Sequence, residues 1–377
     1  MNRRTMIKIA GMAALGFGLS IGSGCSFTRP VSCGETERRR RFSRVDASPQ
    51  RVTRTMVGLR PYRASGFVVR SERFGGKTFI HNYGHGGGGV SLSWGTARLA
   101  VEEALQSGQQ HFAVIGCGCV GLATARLLQQ RGFKVTIYAK DLPPYTTSNA
   151  AGAIWAPFAV ADLDLCTPGF TTLLQGVARL SHRYFQEFIG DAYGVRWIES
   201  YALSSRPIEP SPETIAILDL FPDRKALAPN EHPFSAPYAE RFMTLLIDMS
   251  IYMNALMRDV TQAGGKIVVR EFCCREETLD LPEPVIVNCA GLGARTLFND
   301  EELMPIKGQL VALLPQPEID YLTISRDDHL LMLPRRDGIL LGGTFQPGEW
   351  SLDPDNAETD RILEGHRRLY GSMKCES

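Results

Sequence analysis

The sequence has little excess charge of either sign. Forty-one lysines and arginines face 40 aspartates and glutamates, and the formal net charge is +1. Nucleic acids and acidic surfaces are usually bound through an excess of basic charge, so we expect neither as a partner. With 44% hydrophobic and 21% charged residues, the composition is that of a globular protein, and 377 residues suffice for a two-part fold or for two domains.

Cysteines are also too few to form a disulfide scaffold, at nine in the whole chain. Cys117 and Cys119 lie in a glycine-rich run, whereas Cys273, Cys274 and Cys289 lie in apolar stretches. Their spacing matches no pattern of metal ligands, so we expect no metal site. Small buried thiols are the simpler interpretation.

The N-terminus lacks an apolar run long enough to cross a membrane. Arg3 and Arg4 precede a short stretch at 9–21 that is rich in glycine and alanine. A basic segment before such a stretch is typical of a signal peptide, and the paired arginines resemble a twin-arginine signal for export of folded proteins. We therefore expect residues 1–30 to be a signal peptide and the protein to be periplasmic or anchored on the outer side of a membrane. A poorly ordered basic N-terminus is the alternative.

Two features adjoin this segment. The run GSGC at 22–25 resembles an imperfect lipoprotein cleavage site, which makes a lipid anchor at Cys25 one expectation. Four successive arginines at 38–41 follow, and such a run of like charge is typical of a solvated segment. We therefore interpret residues 31–50 as a linker.

Glycines are abundant, and one group lies where a nucleotide-binding turn would place it. A strand-like run at 111–115 leads into the sequence GCGCVG at 116–121, which is followed by helical spacing at 122–130 and a second strand-like run at 134–138. Strand, glycine turn, helix and strand in this order distinguish a dinucleotide-binding GxGxxG turn from a chance match. The pattern therefore predicts a bound dinucleotide.

Each glycine of this turn has its own expected role. Gly116 permits the tight turn, Gly118 lets the backbone approach a pyrophosphate, and Gly121 lets the helix pack on the strand. The acid that usually binds the adenosine ribose ends the second strand, but here Asp141 lies one place later. Lys140 is an alternative ligand for phosphate or adenine, and a surface ion pair is the other interpretation of both residues.

Three later runs carry a resemblance to a known family. They are TTSNAAGAIWAP at 146–157, VIVNCAG at 285–291 and LGGTFQPGEW at 341–350. In this order they resemble the D-amino-acid oxidase family, which includes D-aspartate oxidase and, more distantly, glycine oxidase. The resemblance implies an α/β fold with a Rossmann-type FAD-binding domain and a β-rich substrate domain.

The family's last motifs stand at the front of this chain. The run VGLRP at 57–61 resembles a late segment of the family, and IHNYGHGGGGVSLSWG at 80–95 resembles its C-terminal flavin-binding loop. We therefore predict a circularly permuted fold in which residues 45–105 are the family's C-terminal part. Domain termini are usually exposed and often close together, so such a rearrangement is tolerated. An independent N-terminal domain is the alternative.

Domain boundaries follow from this alignment of motifs. We expect the FAD-binding domain to comprise residues 51–160 with 250–300 and 335–377. The substrate domain is expected to comprise residues 161–248 with 303–335. None of these motifs predicts an oligomeric state.

The resemblance also implies the residues of the site. The expected FAD-binding residues are Gly86, Gly87, Gly88, Gly89, Val90, Ser91, Gly116, Cys117, Gly118, Val120, Gly121, Lys140, Asp141, Thr146, Thr147, Ser148, Ala151, Gly152, Ala153, Phe272, Ala290 and Gly291. The four glycines at 86–89 would let the backbone approach a flat ring, and the following helix would direct its positive N-terminus at the reduced flavin. A flexible glycine linker is the alternative.

Arg60, His329 and Gly87 are expected at the substrate. By resemblance Arg60 binds the substrate carboxylate, and a guanidinium suits this role because it pairs bidentately and stays charged. The alternative is that Arg60 only caps a structural turn. The family's substrate tyrosine is absent, since Leu331 stands at its position, and His329 and Tyr321 are candidate replacements.

The implied activity is FAD-dependent oxidation of an amino acid, either a D-amino acid or a related small amine acid. Hydride would pass to flavin N5, the imine would hydrolyse to a 2-oxo acid, and oxygen or a quinone would be the electron acceptor. Because the tyrosine is missing, a non-catalytic FAD-binding protein is the alternative.

Overall fold

The computed structural model describes residues 41–374, without the side chains at positions 212 and 213. The predicted signal peptide, Cys25 and most of the predicted linker lie outside the described residues. Within 41–374, no helix is both long enough and apolar enough to span a bilayer.

The strands of the described chain, in order, are β1 Val52–Tyr62, β2 Val68–Phe74, β3 Lys77–Tyr83, β4 His111–Ile115, β5 Lys134–Ala139, β6 Val195–Ser204, β7 Lys225–Leu227, β8 Tyr238–Ile247, β9 Lys266–Val269, β10 Val285–Asn288, β11 Met304–Leu313, β12 Tyr321–Ser325, β13 Leu330–Arg335, β14 Gly338–Gly342 and β15 Gln346–Pro347. The α-helices are α1 Gly89–Leu105, α2 Cys119–Gln130, α3 Phe170–Glu187, α4 Pro212–Ile215, α5 Met249–Gln262, α6 Gly293–Phe298 and α7 Asn356–Gly371.

A six-stranded sheet contains the predicted nucleotide turn. Its order is β2-β3-β10-β4-β5-β9, and all neighbours are parallel except the edge strand β2. The central strands are short apolar runs buried on both faces, as parallel strands between helices usually are. α1, α2 and α5 cover one face, and α6 packs on the other. The predicted Rossmann-type sheet is confirmed.

A nine-stranded sheet forms the β-rich second part of the fold. Its order is β1-β11-β14-β13-β12-β6-β8-β7, with β15 added beside β11. One face packs against α7, and the opposite face carries an apolar layer that includes Leu310, Leu331 and Leu333. The segment around Ile154 packs on this layer, which brings the predicted FAD-binding residues against the second sheet.

The segment before β4 belongs to both sheets. β3 pairs with β10 in parallel, while β1 pairs with β11 along almost its whole length. An independent N-terminal domain is therefore excluded, because removing this segment would expose the buried edges of two sheets.

Three sequence expectations require correction. β1 and β14, assigned above to the FAD-binding domain, lie in the nine-stranded sheet, because pairing between distant strands leaves no local pattern. The described end of the predicted linker is not solvated, since Val45 and Ala47 are 5% and 2% exposed and pack in the core beneath α7. Cys273, expected to be a buried thiol, is exposed.

Burial lowers the pKa of five histidines, and the three with the largest shifts should make the fold sensitive to mild acid. Burial lowers the pKa of His85 to about 3 and that of His182 and His366 to about 4. Because their pKa in the unfolded chain is about 6.5, only the unfolded state gains protons as the pH falls below that value. Each should cost about 1.4 kcal/mol of unfolding free energy by pH 5.5, while carboxylates still titrate little.

Denaturant unfolding between pH 7.5 and 5.5 measures this loss. His366→Gln should reduce this loss by about 1.4 kcal/mol, since its own contribution is removed. His111→Gln, at an exposed position, is the matched control and should leave the dependence unchanged. A stability that does not vary over this range would contradict the prediction.

Candidate functional site

The turn after β4 is held by close backbone packing. Gly116 has a φ of +109°, and its N–H donates to the Tyr138 carbonyl oxygen at 2.8 Å. A Cβ at Gly116 would collide with the Cys289 carbonyl oxygen, and one at Gly121 would collide with the Gly116 carbonyl oxygen. Both glycines are therefore required for β4, β10 and α2 to meet, whether or not a ligand is bound.

Gly118 differs because its only close neighbour is a side-chain oxygen. It is the N-cap of α2, and a Cβ there would approach only Ser148 Oγ, at 3.0 Å. The Cys119 N–H donates to the same oxygen at 3.0 Å, and the N-cap glycine has no side chain to satisfy the amides that follow. The partial positive charge of these amides suits a phosphate group.

The glycines before α1 serve two purposes. The 3-10 turn Gly86–Gly88 packs against the segment 158–160, where a Cβ at Gly87 would lie 2.7 Å from the Phe158 carbonyl oxygen. Gly89, the first residue of α1, has open space instead. The loop is thus tightly packed, in contrast to a flexible linker, and the approach of its four glycines to a flavin ring stays a prediction.

The N-termini of α1 and α2 meet. The Cys119 thiol donates to the Gly89 carbonyl oxygen at 3.4 Å and accepts from the Ser148 hydroxyl at 3.3 Å. Ser91 lies in the first turn of α1, and its Oγ accepts from the Ala156 N–H at 3.1 Å. The structure therefore brings the predicted pyrophosphate turn and flavin loop together, with the positive ends of two helix dipoles side by side.

Cys119 was missed by the sequence analysis, which selected its neighbours Cys117 and Val120. Cys117 is buried with its Sγ 3.4 Å from Met257 Sδ, so its thiol faces α5. Any residue can stand at an x position of a GxGxxG turn. The sequence therefore does not indicate which of these side chains faces the ligand.

The remaining predicted FAD-binding residues follow the carboxyl ends of parallel strands. Lys140 and Asp141 follow β5, Phe272 follows β9, and Ala290 and Gly291 follow β10. These ends lie at one edge of the sheet, where open α/β sheets bind their ligands.

Lys140 has a partner at this edge. Its Nζ lies 3.8 Å from Glu271 Oε1, and both side chains are mostly exposed. The contact agrees with the surface ion pair that was the alternative interpretation of Lys140. Phe272 is buried edge-on against Tyr138.

The segment from Thr146 to Ala153 joins the two sheets. A Cβ at Gly152 would lie 2.7 Å from Leu333 Cδ1, and the Ala153 carbonyl oxygen accepts from the Ile247 N–H at 2.9 Å. Thr147 begins a 3-10 turn that ends at Ala150. The predicted FAD-binding residues of this segment therefore lie between the nucleotide turn and the nine-stranded sheet.

Arg60 faces this segment from within β1. Strand alternation places Gly58 and Arg60 on one face of β1, and a Cβ at Gly58 would lie 3.0 Å from the Ala150 Cβ. The Arg60 guanidinium lies over Gly308, where a Cβ would be 2.7 Å from its Cζ. Arg60 is therefore part of a strand, and its guanidinium bonds a carbonyl of the loop between β14 and β15, so the alternative that it caps a turn stays open.

The Arg60 guanidinium has no acidic partner in the described chain. Its Nη1 donates to the Thr344 carbonyl oxygen at 3.3 Å, and the Phe345 ring centroid lies 5.8 Å from Cζ. Arg60 is half-buried, and this burial lowers its pKa from the usual value. A cation that is partly desolvated and unpaired provides a site for an anion.

The two proposed replacements for the missing tyrosine lie elsewhere. Tyr321 is buried on the α7 face of the sheet, where its hydroxyl donates to the Ser43 carbonyl oxygen at 2.7 Å. His329 is exposed in the β12–β13 turn with a φ of +51°. No contact in the described chain joins either residue to Arg60, whereas Leu331 faces the apolar layer beside Gly152.

Comparisons with known proteins agree with this arrangement. Residues 111–375 match the family model described as DAO, FAD dependent oxidoreductase. The chain is 33% identical over 257 residues to a D-amino-acid oxidase of Dictyostelium discoideum, covering 67% of this chain and 70% of that protein. It is 31% identical to a D-amino-acid oxidase of Rubrobacter xylanophilus, covering 66% and 74%. A human D-aspartate oxidase is 27% identical, covering 67% and 73%.

Solved structures share the fold. Glycine oxidase from Bacillus cereus has a TM-score of 0.51 at 17% identity, over 71% of this chain and 81% of that one. Iminodiacetate oxidase from Chelativorans sp. BNC1 also has a TM-score of 0.51, at 16% identity, over 69% and 79%. At these identities the similarity concerns the fold alone.

Two glycines of the turn should respond differently to substitution. Gly118→Val should abolish FAD binding in a folded protein, because its side chain would occupy space that the protein leaves open. Gly121→Ala should destabilise the fold itself, because the added Cβ collides with the Gly116 carbonyl oxygen. Flavin absorbance per chain and thermal unfolding of the apoprotein separate the two effects.

Gly176→Ala is the matched control, since a Cβ at this helical position meets nothing within 4 Å. It should leave flavin content unchanged and stabilise the fold slightly, because alanine is favoured over glycine inside a helix by about 1 kcal/mol. Full FAD retention by Gly118→Val would contradict the assignment of the turn.

Proposed function

The chain belongs to the family of FAD-dependent oxidoreductases that includes the D-amino-acid oxidases, and from that premise we propose that it oxidises a D-amino acid or a related small amine acid. It is an oxidoreductase whose cofactor is FAD. The observation that carries the proposal is Arg60, a half-buried guanidinium without an acidic partner in the described chain, next to the segment that joins the two sheets.

The residues of this chain fit FAD. Gly118 and the first amides of α2 would bind the pyrophosphate, and Gly89 to Ser91 would bind the polar edge of the flavin ring. Phe272 and Gly291 lie at the sheet edge that would receive the adenosine. Bound FAD supplies an acceptor for hydride from the substrate Cα.

Arg60 would bind and orient the substrate. Its planar fork pairs with both oxygens of a carboxylate, which fixes the position of Cα relative to the flavin loop. Gly87 belongs to the flavin loop. It would lie on the side of the substrate amine that is opposite to Arg60. Arg60 supplies orientation and charge neutralisation, and no protein base is required if the amine is already neutral.

We propose a substrate with an apolar side chain. Met56, Ile154, Ile324 and Leu331 are half-buried at the apolar layer between the sheets. A second carboxylate in the substrate would lose its hydration there without gaining a partner, which is unfavourable. This layer therefore favours neutral amino acids over a substrate such as D-aspartate.

Leu331 also supports a second candidate, a non-catalytic FAD-binding protein. Anaerobic mixing of the yellow protein with D- and L-amino acids, glycine and N-methyl amines distinguishes the two. Loss of the oxidised flavin absorbance with apolar D-amino acids is the expected outcome. If no amine-bearing acid reduces the flavin, the catalytic proposal is wrong. Peroxide release under air then separates oxygen from a quinone as acceptor.

We also propose that the chain is a circular permutation of the family fold. The family model begins at His111, the first residue of β4, although the segment before it contributes strands to both sheets. The two ends of the described chain lie close together, since Arg44 Nη2 donates to the Met373 carbonyl oxygen at 2.6 Å. In an unpermuted chain α7 would therefore continue directly into the segment before β1.

Reordering the chain tests this proposal. A chain with residues 111–374 first and 42–110 second, joined by a linker of about four residues, should fold and bind one FAD. Its flavin spectrum and melting temperature should be close to those of the parent. The matched control stops after 111–374 and should bind no FAD, because β3 and the flavin loop are missing. An unfolded or colourless reordered chain would refute the permutation.

Replacing the Arg60 guanidinium should lower activity on amino acids and leave activity on the corresponding amines unchanged. Arg60→Ala should lower kcat/KM on an amino acid by about 30-fold or more, and Arg60→Lys should recover only part of this. The decarboxylated amine should be oxidised equally by all three proteins, and FAD content should not change. Arg54→Ala, at an exposed arginine on the same strand, is the control. An equal loss on the amine would show that Arg60 is structural.

A further inference from the structure

Cys273 and Cys274 are adjacent in the sequence and lie outside the strands and helices. They follow β9 and form a bend that leads into the 3-10 turn Glu276–Asp280. Cys273 is exposed, and Cys274 is half-buried. The backbone of this pair belongs to neither sheet, so its conformation can change while both sheets stay intact.

The other cysteines of the described chain are less accessible to an oxidant. Cys117, Cys119 and Cys289 are buried, and burial raises their pKa to about 12, 11 and 12, so their thiols stay protonated. Cys166 is half-buried, and burial raises its pKa as well, while its thiol donates to a carbonyl oxygen at 3.3 Å. Because an oxidant attacks an accessible thiolate, oxidation within residues 41–374 is expected first at Cys273.

Two glutamates contact the pair. The Cys273 backbone N–H donates to Glu277 Oε2 at 2.9 Å. Hydrogen bonds from its own backbone N–H and from the Cys274 thiol lower the pKa of Glu276, which places that thiol beside a carboxylate. An exposed thiol therefore has a second thiol on the next residue, and this arrangement is typical of a redox-sensing cysteine beside a resolving cysteine.

We propose that hydrogen peroxide oxidises Cys273, that Cys274 then closes a disulfide with it, and that this modification weakens FAD binding. The Cys273 sulfur attacks the peroxide, so that an S–O bond forms, the O–O bond breaks and water leaves. The Cys274 sulfur then attacks the Cys273 sulfur, so that the S–S bond forms, the S–O bond breaks and a second water carries away the thiol proton. Two thiols are oxidised, and one peroxide is reduced to water. This inference rests on the proposed function only for the source of the peroxide, which an oxygen-dependent oxidase releases.

Closing this disulfide must move the backbone of the pair. The Cα atoms of adjacent residues are about 3.8 Å apart across a trans peptide, whereas disulfides usually join Cα atoms about 4.4–6.8 Å apart. Such a strained bond is easily reduced, so the modification is reversible.

The residue before the pair connects it to the cofactor site. The Phe272 ring packs edge-on against Tyr138, with 6.2 Å between the ring centroids, and Arg270 Cζ lies 4.7 Å from the Phe272 centroid. A change of backbone conformation at Cys273 would shift this ring at the sheet edge that would receive the adenosine. The oxidised protein should therefore bind FAD more weakly than the reduced protein.

Treatment of the purified protein with hydrogen peroxide tests the inference. Trypsin cleaves after Arg270 and Arg275, so one peptide, EFCCR, carries both cysteines. After peroxide and alkylation, mass spectrometry should find this peptide unalkylated and lighter by the two thiol hydrogens, and dithiothreitol should restore alkylation of both cysteines. The oxidised protein should bind FAD about threefold to tenfold more weakly, as expected for the loss of an aromatic contact.

Serine variants separate the two steps. Cys274→Ser keeps a hydroxyl that can donate to Glu276 but cannot form a disulfide, so dimedone should capture Cys273 in this variant as a sulfenic acid. In Cys273→Ser, the remaining thiol of the peptide should stay reduced and FAD affinity should not respond to peroxide. Cys166→Ser is the matched control, a half-buried cysteine without a neighbouring cysteine in the sequence, and it should respond to peroxide as the wild type does.

Full alkylation of Cys273 and Cys274 in the peroxide-treated wild type would overturn the inference. A disulfide from either cysteine to another peptide, or a disulfide between them that leaves FAD affinity unchanged, would overturn it as well. None of these outcomes affects the proposed function, because the peroxide is added. A wild type whose flavin no amino acid reduces would instead refute the proposed function, and the disulfide should still form with added peroxide.

Discussion

The parallel pairing of β3 with β10 is the constraint on which the site depends. Four residue pairs, from Thr78 with Val285 to His81 with Asn288, hold β3 in the same sheet as β4. Because these strands are parallel, the chain leaves β3 at the edge where it also enters the turn at Gly116. The N-termini of α1 and α2 therefore meet, and the two ends of a dinucleotide can be bound by segments from different parts of the sequence.

Packing and ligand binding make different demands on the glycines. Gly116, Gly121 and the turn Gly86–Gly88 are glycine because the protein's own backbone or side chains fill the adjacent space. A Cβ at Gly118 would approach only Ser148 Oγ, at 3.0 Å, and one at Gly89 only His85 Cβ, at 3.8 Å. Both glycines lie at helix N-termini, where partial positive charge favours an anionic or electron-rich ligand.

Charge pairing distinguishes Asp248 from Arg60. The buried Asp248 lies 3.2 Å from Arg196 and within 4.0 Å of both Arg335 and Arg336, so its charge is neutralised inside the protein. Arg60 is half-buried at the seam between the two sheets and has only a carbonyl oxygen as partner in the described chain. A partly buried cation without a partner lowers the stability of the fold unless a ligand pairs with it. This is the physical basis for the proposal that Arg60 binds the substrate carboxylate.

The local pattern of the sequence determined the strand, turn and helix from His111 to Ala139, because the period of apolar residues and the glycine spacing act within a few residues. The family motifs predicted Arg60 and the flavin loop as site residues, and these roles stay predictions. Only the tertiary structure decided that β1 and β14 join the larger sheet, that Val45 is buried, and that Tyr321 lies on the α7 face of that sheet. Alternation along a strand shows which side chains share a face, but the layer that this face meets is set by pairing with strands hundreds of residues away.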